Sequence, residues 1–279
     1  MKRLIVVFVV AAIATQPVRA QSDESTDKLT ENFSDDVFRL KGLGLTFRRV
    51  LLDHEIDGVT ELFMSETEVT NRMYKEFIDD TGKKKDDVKE YTPGKYGDST
   101  ASPLVLVDHV KTLWSKSNYP EGRGEHPVAF VTIHHAIEFA DWLNVKYGKD
   151  GVFRLPLIKE WVWAAYGKDR QFPWGNTKRQ NFFKTTAPVK SYPELKTPDG
   201  LFGMWGNVSE LVHTRSNGYG SQDDRNIRRP LMAQWMGPAF HNRAQPRQNY
   251  WGYTHSTLTR GDHIGFRLAF IPHDKTDKK

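Results

Sequence analysis

The 279-residue chain contains no cysteine. This absence excludes disulfide bonds, thiolate metal ligands, a cysteine nucleophile and a lipid anchor on an N-terminal cysteine. Small secreted domains often need disulfides because their cores are thin, whereas a chain of this length buries roughly 70 to 75% of its unfolded surface. Packing can therefore stabilise the fold without covalent links.

Long hydrophobic runs are also scarce. The single long run, Leu4–Ala14, follows Lys2 and Arg3 and precedes the small-residue exit Val18-Arg19-Ala20. It is about half of the roughly 20 residues that a membrane span needs. This order predicts a secretory signal peptide over residues 1–20. We expect a soluble protein that is periplasmic or secreted, with no membrane span or lipid anchor.

A large excess of one charge sign is missing as well. The chain has 40 Lys and Arg against 35 Asp and Glu, and residues 1–20 carry three of the bases and no acid, which leaves 37 against 35. Nucleic-acid binding requires a basic face or stripe. We therefore expect no nucleic-acid partner, and a protein or small-molecule ligand instead.

The chain shows no Ser/Gly-rich linker and no internal repeat. Residues 21–36 are polar and acidic with one aromatic, so they cannot bury enough apolar surface to order themselves. We predict a flexible leader over residues 21–40, one domain over 41–272 and a polar tail over 273–279.

Apolar periodicity and capping residues predict three helices, lying between Thr70 and Gly82, between Thr132 and Gly148, and between Pro156 and Gly167. The rest of the chain after Gly167 is rich in Gly, Pro, Asn and aromatics, with short strand candidates at Ala187–Val189 and Gly265–Ile271. This half should consist mostly of long loops, which in compact domains are usually functional.

A set of short motifs is spread over residues 45–270. They are Glu68-Val69-Thr70-Asn71, His126-Pro127-Val128, RLPLIKEWVWAA from Arg154 to Ala165, Pro173-Trp174-Gly175-Asn176, GLFGMWGNVSEL from Gly200 to Leu211, and Gly265-Phe266-Arg267. In this order they resemble the formylglycine-generating enzyme family, also called the sulfatase-modifying-factor family. The resemblance implies a single α+β domain related to the C-type lectin fold, with little regular secondary structure and long loops.

Four tryptophans fall within these motifs, at positions 161, 163, 174 and 205. We interpret them as core aromatics rather than a ligand cage, because tryptophan usually contributes large buried area with one satisfied N–H.

Enzymes of this family resemble one another in a pair of cysteines that bind copper and activate oxygen. Gly237-Pro238-Ala239-Phe240 looks like the family's turn before the pair, and counting on places Asn242 and Arg247 at the two cysteine positions. Copper needs soft thiolate ligands. We therefore expect no copper and no cysteine-dependent formylglycine formation.

The segment after this turn is unusually rich in polar and aromatic groups, which can line a ligand pocket in which arginines bind a carboxylate or sulfate. Equally, the aromatics could only pin a long loop while the arginines stay solvated. The ligand-binding candidates are His241, Asn242, Arg243, Arg247, Tyr250 and Trp251, with Tyr253, His255 and His263 nearby.

The resemblance also implies calcium in the loop that contains Asn207 and Glu210, whose oxygens suit a hard cation. Gly203 stands where the family usually has Asp or Asn, and an ordinary turn stabilised by Asn207 and Glu210 is the alternative. The adjacent pair His134-His135 is interpreted as capping or solvated, since metal pairs on helices are spaced three or four apart.

Two functions remain open. In the first, the exported domain lacks the catalytic cysteines and is a ligand- or partner-binding regulator, similar to family relatives in secretion-associated signalling. In the second, it is an oxidoreductase with altered, non-thiol chemistry, similar to relatives in siderophore maturation. The sequence leaves open whether any catalysis remains.

Overall fold

The structure is a computed structural model. It describes residues 30–34, 36–83, 114–115, 117–177, 185–213, 233–240, 254–255 and 257–273, with backbone alone for the first and seventh of these ranges. Within these ranges no helix is long and apolar enough to cross a bilayer.

The described residues form ten strands in two sheets. They are β1 Thr30–Ser34, β2 Val37–Leu40, β3 Leu45–Val50, β4 Leu62–Ser65, β5 Gly151–Arg154, β6 Ser209–Val212, β7 Ala233–Met236, β8 Thr254–His255, β9 Ile264–Phe266 and β10 Ala269–Pro272. The larger sheet has the order β1, β2, β3, β4, β10, β5 and is antiparallel throughout. The smaller sheet has the order β8, β7, β6, β9, and its β6–β9 pair is parallel.

The three predicted helices are confirmed as α1 Asn71–Thr81, α2 Ile133–Tyr147 and α3 Ile158–Tyr166. Thr70 caps α1, and its hydroxyl accepts a hydrogen bond from the Met73 amide. Gly82 ends α1 in the left-handed conformation that glycine adopts without a steric penalty. These boundaries were predictable because capping is a local interaction.

Helices α1 and α2 contribute to a core cluster rich in aromatic side chains. Phe38 stacks on Phe270 with centroids 4.8 Å apart, and Tyr74 of α1 stacks on Phe139 of α2 at 5.8 Å. A second cluster lies around α3 and contains Trp161.

The prediction that the motif tryptophans are core aromatics is confirmed for Trp161 and Trp205. Trp161 and Trp205 are at most 2% exposed, while Trp163 and Trp174 are partly buried against the same cluster. The molecule is thus a mixed α+β domain with few helices, as the sequence predicted.

Two predictions are wrong, one about where the flexible leader ends and one about the strand at residues 187–189. The flexible leader was predicted to reach residue 40, but Val37–Leu40 is β2, and Phe38 and Leu40 are buried because they pack into the core. Residues 187–189 do not form a strand. Pro188 lacks an amide proton, and the Asn207 side chain takes both backbone polar groups of Ala187.

The predicted strand Gly265–Ile271 is interrupted. The structure has β9 in the smaller sheet and β10 in the larger one, with Arg267 and Leu268 between them. The Leu268 amide donates to the Ser65 hydroxyl, and the Arg267 side chain points into a buried polar network. The chain therefore changes sheets at Arg267.

Candidate functional site

Glu210 of β6 and Arg267, which lies between β9 and β10, form a fully buried ion pair in which each side chain is 0% exposed. Glu210 Oε2 accepts from Arg267 Nε at 2.6 Å and from Trp161 Nε1 at 2.6 Å, while Oε1 accepts from Arg267 Nη2 at 2.7 Å. Arg267 also donates to the carbonyl oxygens of Ser65 and Phe202. Burial acts to lower the pKa of Arg267, but Glu210 outweighs it, so the pKa lies above its usual value.

Glu68 adds a second buried carboxyl beside this pair. Burial raises its pKa to about 7, Arg267 opposes the rise, and the nearby Glu210 carboxylate adds to it. Its Oε1 accepts from Asn207 Nδ2 at 3.1 Å, whereas Oε2 has no hydrogen-bond partner among the residues that the structure describes. Gly203 abuts this carboxyl, since a Cβ there would lie 2.3 Å from Oε1.

Asn207 connects the buried network to the surface. Its backbone has a φ of 62°, a left-handed conformation that asparagine tolerates better than most residues. Its side chain accepts from the Ala187 amide at 2.9 Å and donates to the Ala187 carbonyl at 3.2 Å. The Phe240 amide donates to the Asn207 carbonyl at 3.1 Å. One residue thus fixes two segments that reach the surface.

These contacts bear on the calcium expectation. Both carboxylate oxygens of Glu210 bind Arg267 or Trp161, and the Asn207 side-chain oxygen accepts from Ala187. As arranged, the two side chains do not fit a calcium ligand set, because a cation would have to displace a guanidinium. Within the described ranges no group of three His, Asp or Glu side chains could hold a metal ion. Calcium binding stays a prediction.

A small polar cleft opens where these two segments meet the loop before α2. Arg123 Nη1 lies 3.2 Å from His126 Nδ1 and 3.3 Å from the Thr186 hydroxyl, which is itself 3.2 Å from His126 Nδ1. Phe240 and Asp262 complete the wall, together with Asn71. The enclosed volume is about 20 Å³, room for about one water molecule.

The electrostatics of the cleft follow from its burial. Burial and, to a smaller extent, the charge of Arg123 lower the pKa of His126 to about 4, so the imidazole is neutral at pH 7. The hydrogen bonds of Arg123 to described residues all use Nη1. Its other guanidinium nitrogens can therefore serve an anionic group at the cleft mouth.

The predicted ligand-binding residues cannot be placed. His241, Asn242, Arg243, Arg247, Tyr250 and Trp251 all lie outside the described residues, as does Tyr253. Of the nearby histidines, His263 is buried, with Nδ1 2.9 Å from an Asp262 carboxylate oxygen. The described range 233–240 ends at Phe240 in the cleft wall, immediately before the candidate segment.

His135 of the pair His134-His135 plays the predicted capping role. The His135 side chain accepts from the Thr132 amide at 3.3 Å, and the Thr132 hydroxyl accepts from the His135 amide, which forms a reciprocal cap at the start of α2.

Sequence reasoning missed Arg123, Thr186 and Asp262 as site residues. His126 lay in a recognised motif, but Thr186 is 60 residues away, and no periodicity connects the two. The one sequence signal that pointed to this region was the unusual density of polar residues after Phe240, which borders the cleft.

Solved structures show the same fold at low sequence identity. The crystal structure of CarF is 20% identical, with a TM-score of 0.52 over 77% of this chain and 88% of that chain. Treponema denticola variable protein 1 is 18% identical, with a TM-score of 0.50 over 82% and 95%. PvdO from Pseudomonas aeruginosa is 19% identical, with a TM-score of 0.58 over 86% and 100%.

No curated protein matches the chain significantly in sequence. The family model of the sulfatase-modifying factor enzyme 1-like domain, FGE-sulfatase, matches residues 49–271. This span includes α1, α2, α3 and both walls of the cleft. The chain therefore belongs to the sulfatase-modifying factor enzyme 1-like family.

Proposed function

We propose that this protein is an exported, cysteine-free member of its family that binds a ligand or partner and regulates it, without thiol chemistry. The observation that carries the proposal is the polar cleft at Phe240 in a chain with no cysteine. The cleft keeps a positioned arginine and a neutral histidine, but the chain cannot supply a thiolate pair for copper.

The small size of the cleft favours a large partner. With room for about one water molecule, it can accept a single polar group but cannot enclose a metabolite. A carboxylate or sulfate suits the charge of Arg123, while the neutral His126 and the Thr186 hydroxyl can donate or accept a hydrogen bond. The candidate residues between 241 and 251 would contact the rest of the partner.

The test is affinity capture from periplasmic extract with the purified chain and three variants. Arg123→Ala and Arg247→Ala should each lose the captured partner, whereas Lys149→Ala should keep it, because Lys149 is exposed in the turn after α2. Capture of the same proteins by all four chains, or of none by the wild type, would contradict the proposal. Each variant's melting temperature serves as the folding control.

The same purified protein also tests the predicted export and the alternative function as an oxidoreductase. An N-terminus at Gln21 on the protein isolated from the periplasm or medium would support cleavage after residue 20. Stoichiometric copper or iron in the protein would favour an oxidoreductase over a binding role, and calcium that is lost on substitution of Asn207 by Ala would support the predicted cation at Asn207 and Glu210.

A further inference from the structure

A second, larger cavity lies beside the cleft and shares two chain segments with it. Its volume is about 430 Å³, within the range of small-ligand sites. Glu125 and Val189 line this groove, and the Val189 amide donates to the Glu125 carbonyl at 3.0 Å. The groove is thus built from the same 123–129 and 185–191 segments whose other residues line the cleft.

A buried carboxylate organises the charge of the groove. The Glu66 side chain is only 7% exposed, and its two oxygens bind different cations. Oε1 accepts from Arg48 Nε at 2.8 Å, and Oε2 accepts from Lys190 Nζ at 2.5 Å. Arg48 lies across Gly200, where a Cβ would come within 2.9 Å of its side chain, so the backbone holds the guanidinium in place.

The groove lining itself contains two carboxylates, Glu66 and Glu125, and one cation, Lys190. With the ion-pair partners Arg48 and Arg72, which lie outside the lining, the cations number three against two carboxylates. Glu125 on the other wall pairs with Arg72 at 2.7 Å, which leaves that wall neutral. Glu66 carries one negative charge but binds both Arg48 and Lys190. One positive charge therefore remains, and the Lys190 side chain is 58% exposed, so its remaining ammonium protons can reach a ligand.

The rest of the lining defines the ligand further. Thr46 offers a hydroxyl group, and Met73 and Val189 form an apolar surface. The Ser191 hydroxyl donates its proton to the Pro188 carbonyl at 2.7 Å, so it does not serve an anion. We propose that this groove binds a small organic carboxylate, with its anionic group on the Lys190 ammonium and the Thr46 hydroxyl and its apolar body against Met73 and Val189. A singly charged ligand matches the single uncompensated charge.

The test is an NMR titration of the full chain with hexanoate, hexanamide and inorganic phosphate as probes. Hexanoate should cause saturable shifts at the amides of Thr46 and Ser191, at concentrations up to about 50 mM, as expected for a small, weakly bound fragment. Hexanamide has the same body without the charge and should bind at least about tenfold more weakly.

Variants locate the binding. Lys190→Met should weaken hexanoate binding by about tenfold or more, since it removes the uncompensated charge from an exposed side chain. Lys149→Met removes an equal charge elsewhere and should leave binding unchanged. The cleft proposal is tested by partner capture and the groove proposal by hexanoate shifts, so failure of one is distinguishable from failure of the other.

Three outcomes would overturn the proposal. They are the absence of saturable shifts with hexanoate, equal binding of hexanamide, and binding of hexanoate that Lys190→Met does not change. Phosphate binding that depends on Lys190 while hexanoate fails would also refute a carboxylate ligand. A melting temperature for Lys190→Met close to that of the wild type shows that the variant is folded.

Discussion

Two of the clusters in which a glutamate binds basic side chains differ in their access to water. The inner cluster is Glu210 with Arg267, and the outer cluster is Glu66 with Arg48 and Lys190. Glu210 and Arg267 are both fully buried, and every contact between them is internal. Glu66 is nearly as buried, but its partners Arg48 and Lys190 are 33% and 58% exposed. Both clusters join chain segments that are far apart in sequence.

This difference in exposure indicates a structural role for the inner cluster and a binding role for the outer one. A buried charge that loses its partner bears the full cost of desolvation, so the inner cluster should be essential for folding. Water screens the outer cluster and can replace a lost partner, so it should contribute little to stability. The exposed donors of the outer cluster are instead available to a ligand.

The largest effect should follow removal of the inner cation. Arg267→Met leaves Glu210 and Glu68 buried without their positive partner, so the free energy of unfolding should fall by about 3–5 kcal/mol. Arg48→Met is the matched change in the outer cluster and should cost about 1 kcal/mol or less. Urea denaturation of both variants measures the contrast, and equal losses would contradict the distinction.

A glycine beside the inner cluster gives the second test. Gly203→Ala would place a Cβ 2.3 Å from Glu68 Oε1 at a backbone φ of 69°. We expect a loss of about 2–4 kcal/mol from overpacking and backbone strain. Gly82→Ala is the control, because it has a similar φ of 63° with no atom within 4 Å of the added Cβ. Its loss should be about 1 kcal/mol.

The pH dependence of stability distinguishes the clusters further. The pKa of Glu68 is about 7 in the folded state, above its ordinary value of 4.5. Between pH 4.5 and pH 7 the folded state therefore binds a proton at Glu68 more tightly than the unfolded state does. Stability from this group is therefore full below pH 4.5 and is lost as the pH rises through 7.

Glu68→Gln should remove this dependence. Between about pH 5 and pH 8, the wild type should lose at most about 3 kcal/mol relative to the variant. Denaturation curves across this range check the prediction, and parallel pH profiles would show that the carboxyl does not titrate there.

The smallest effect on stability is expected for Glu66 in the outer cluster, where the pH dependence runs opposite to that of Glu68. Burial acts to raise the pKa of Glu66, but hydrogen bonds from Lys190 and Arg48 outweigh it and lower the pKa. Its stabilisation is present above the unfolded pKa and is lost as the pH falls through the folded value. Because the partners are exposed, Glu66→Gln should cost under about 1 kcal/mol at pH 7 and flatten the acid limb of the stability curve.

Local sequence signals predicted the helices well. Thr70, Thr132 and Gly82 act on backbone groups within four residues, so their effect on α1 and α2 can be read without tertiary information. The strand predicted at Ala187–Val189 failed for the opposite reason, because its backbone groups bind the side chain of Asn207, 20 residues away.

The sequence by itself determined the family, the helix boundaries and the absence of thiol chemistry, because motifs, caps and cysteine content depend on residue type and order. Only the tertiary structure decided which charges are buried and which can meet a ligand. Glu210 and Arg267 are 57 residues apart, and Glu66 and Lys190 are 124 apart. Such pairs form through packing of distant segments, and no local pattern in the chain encodes them.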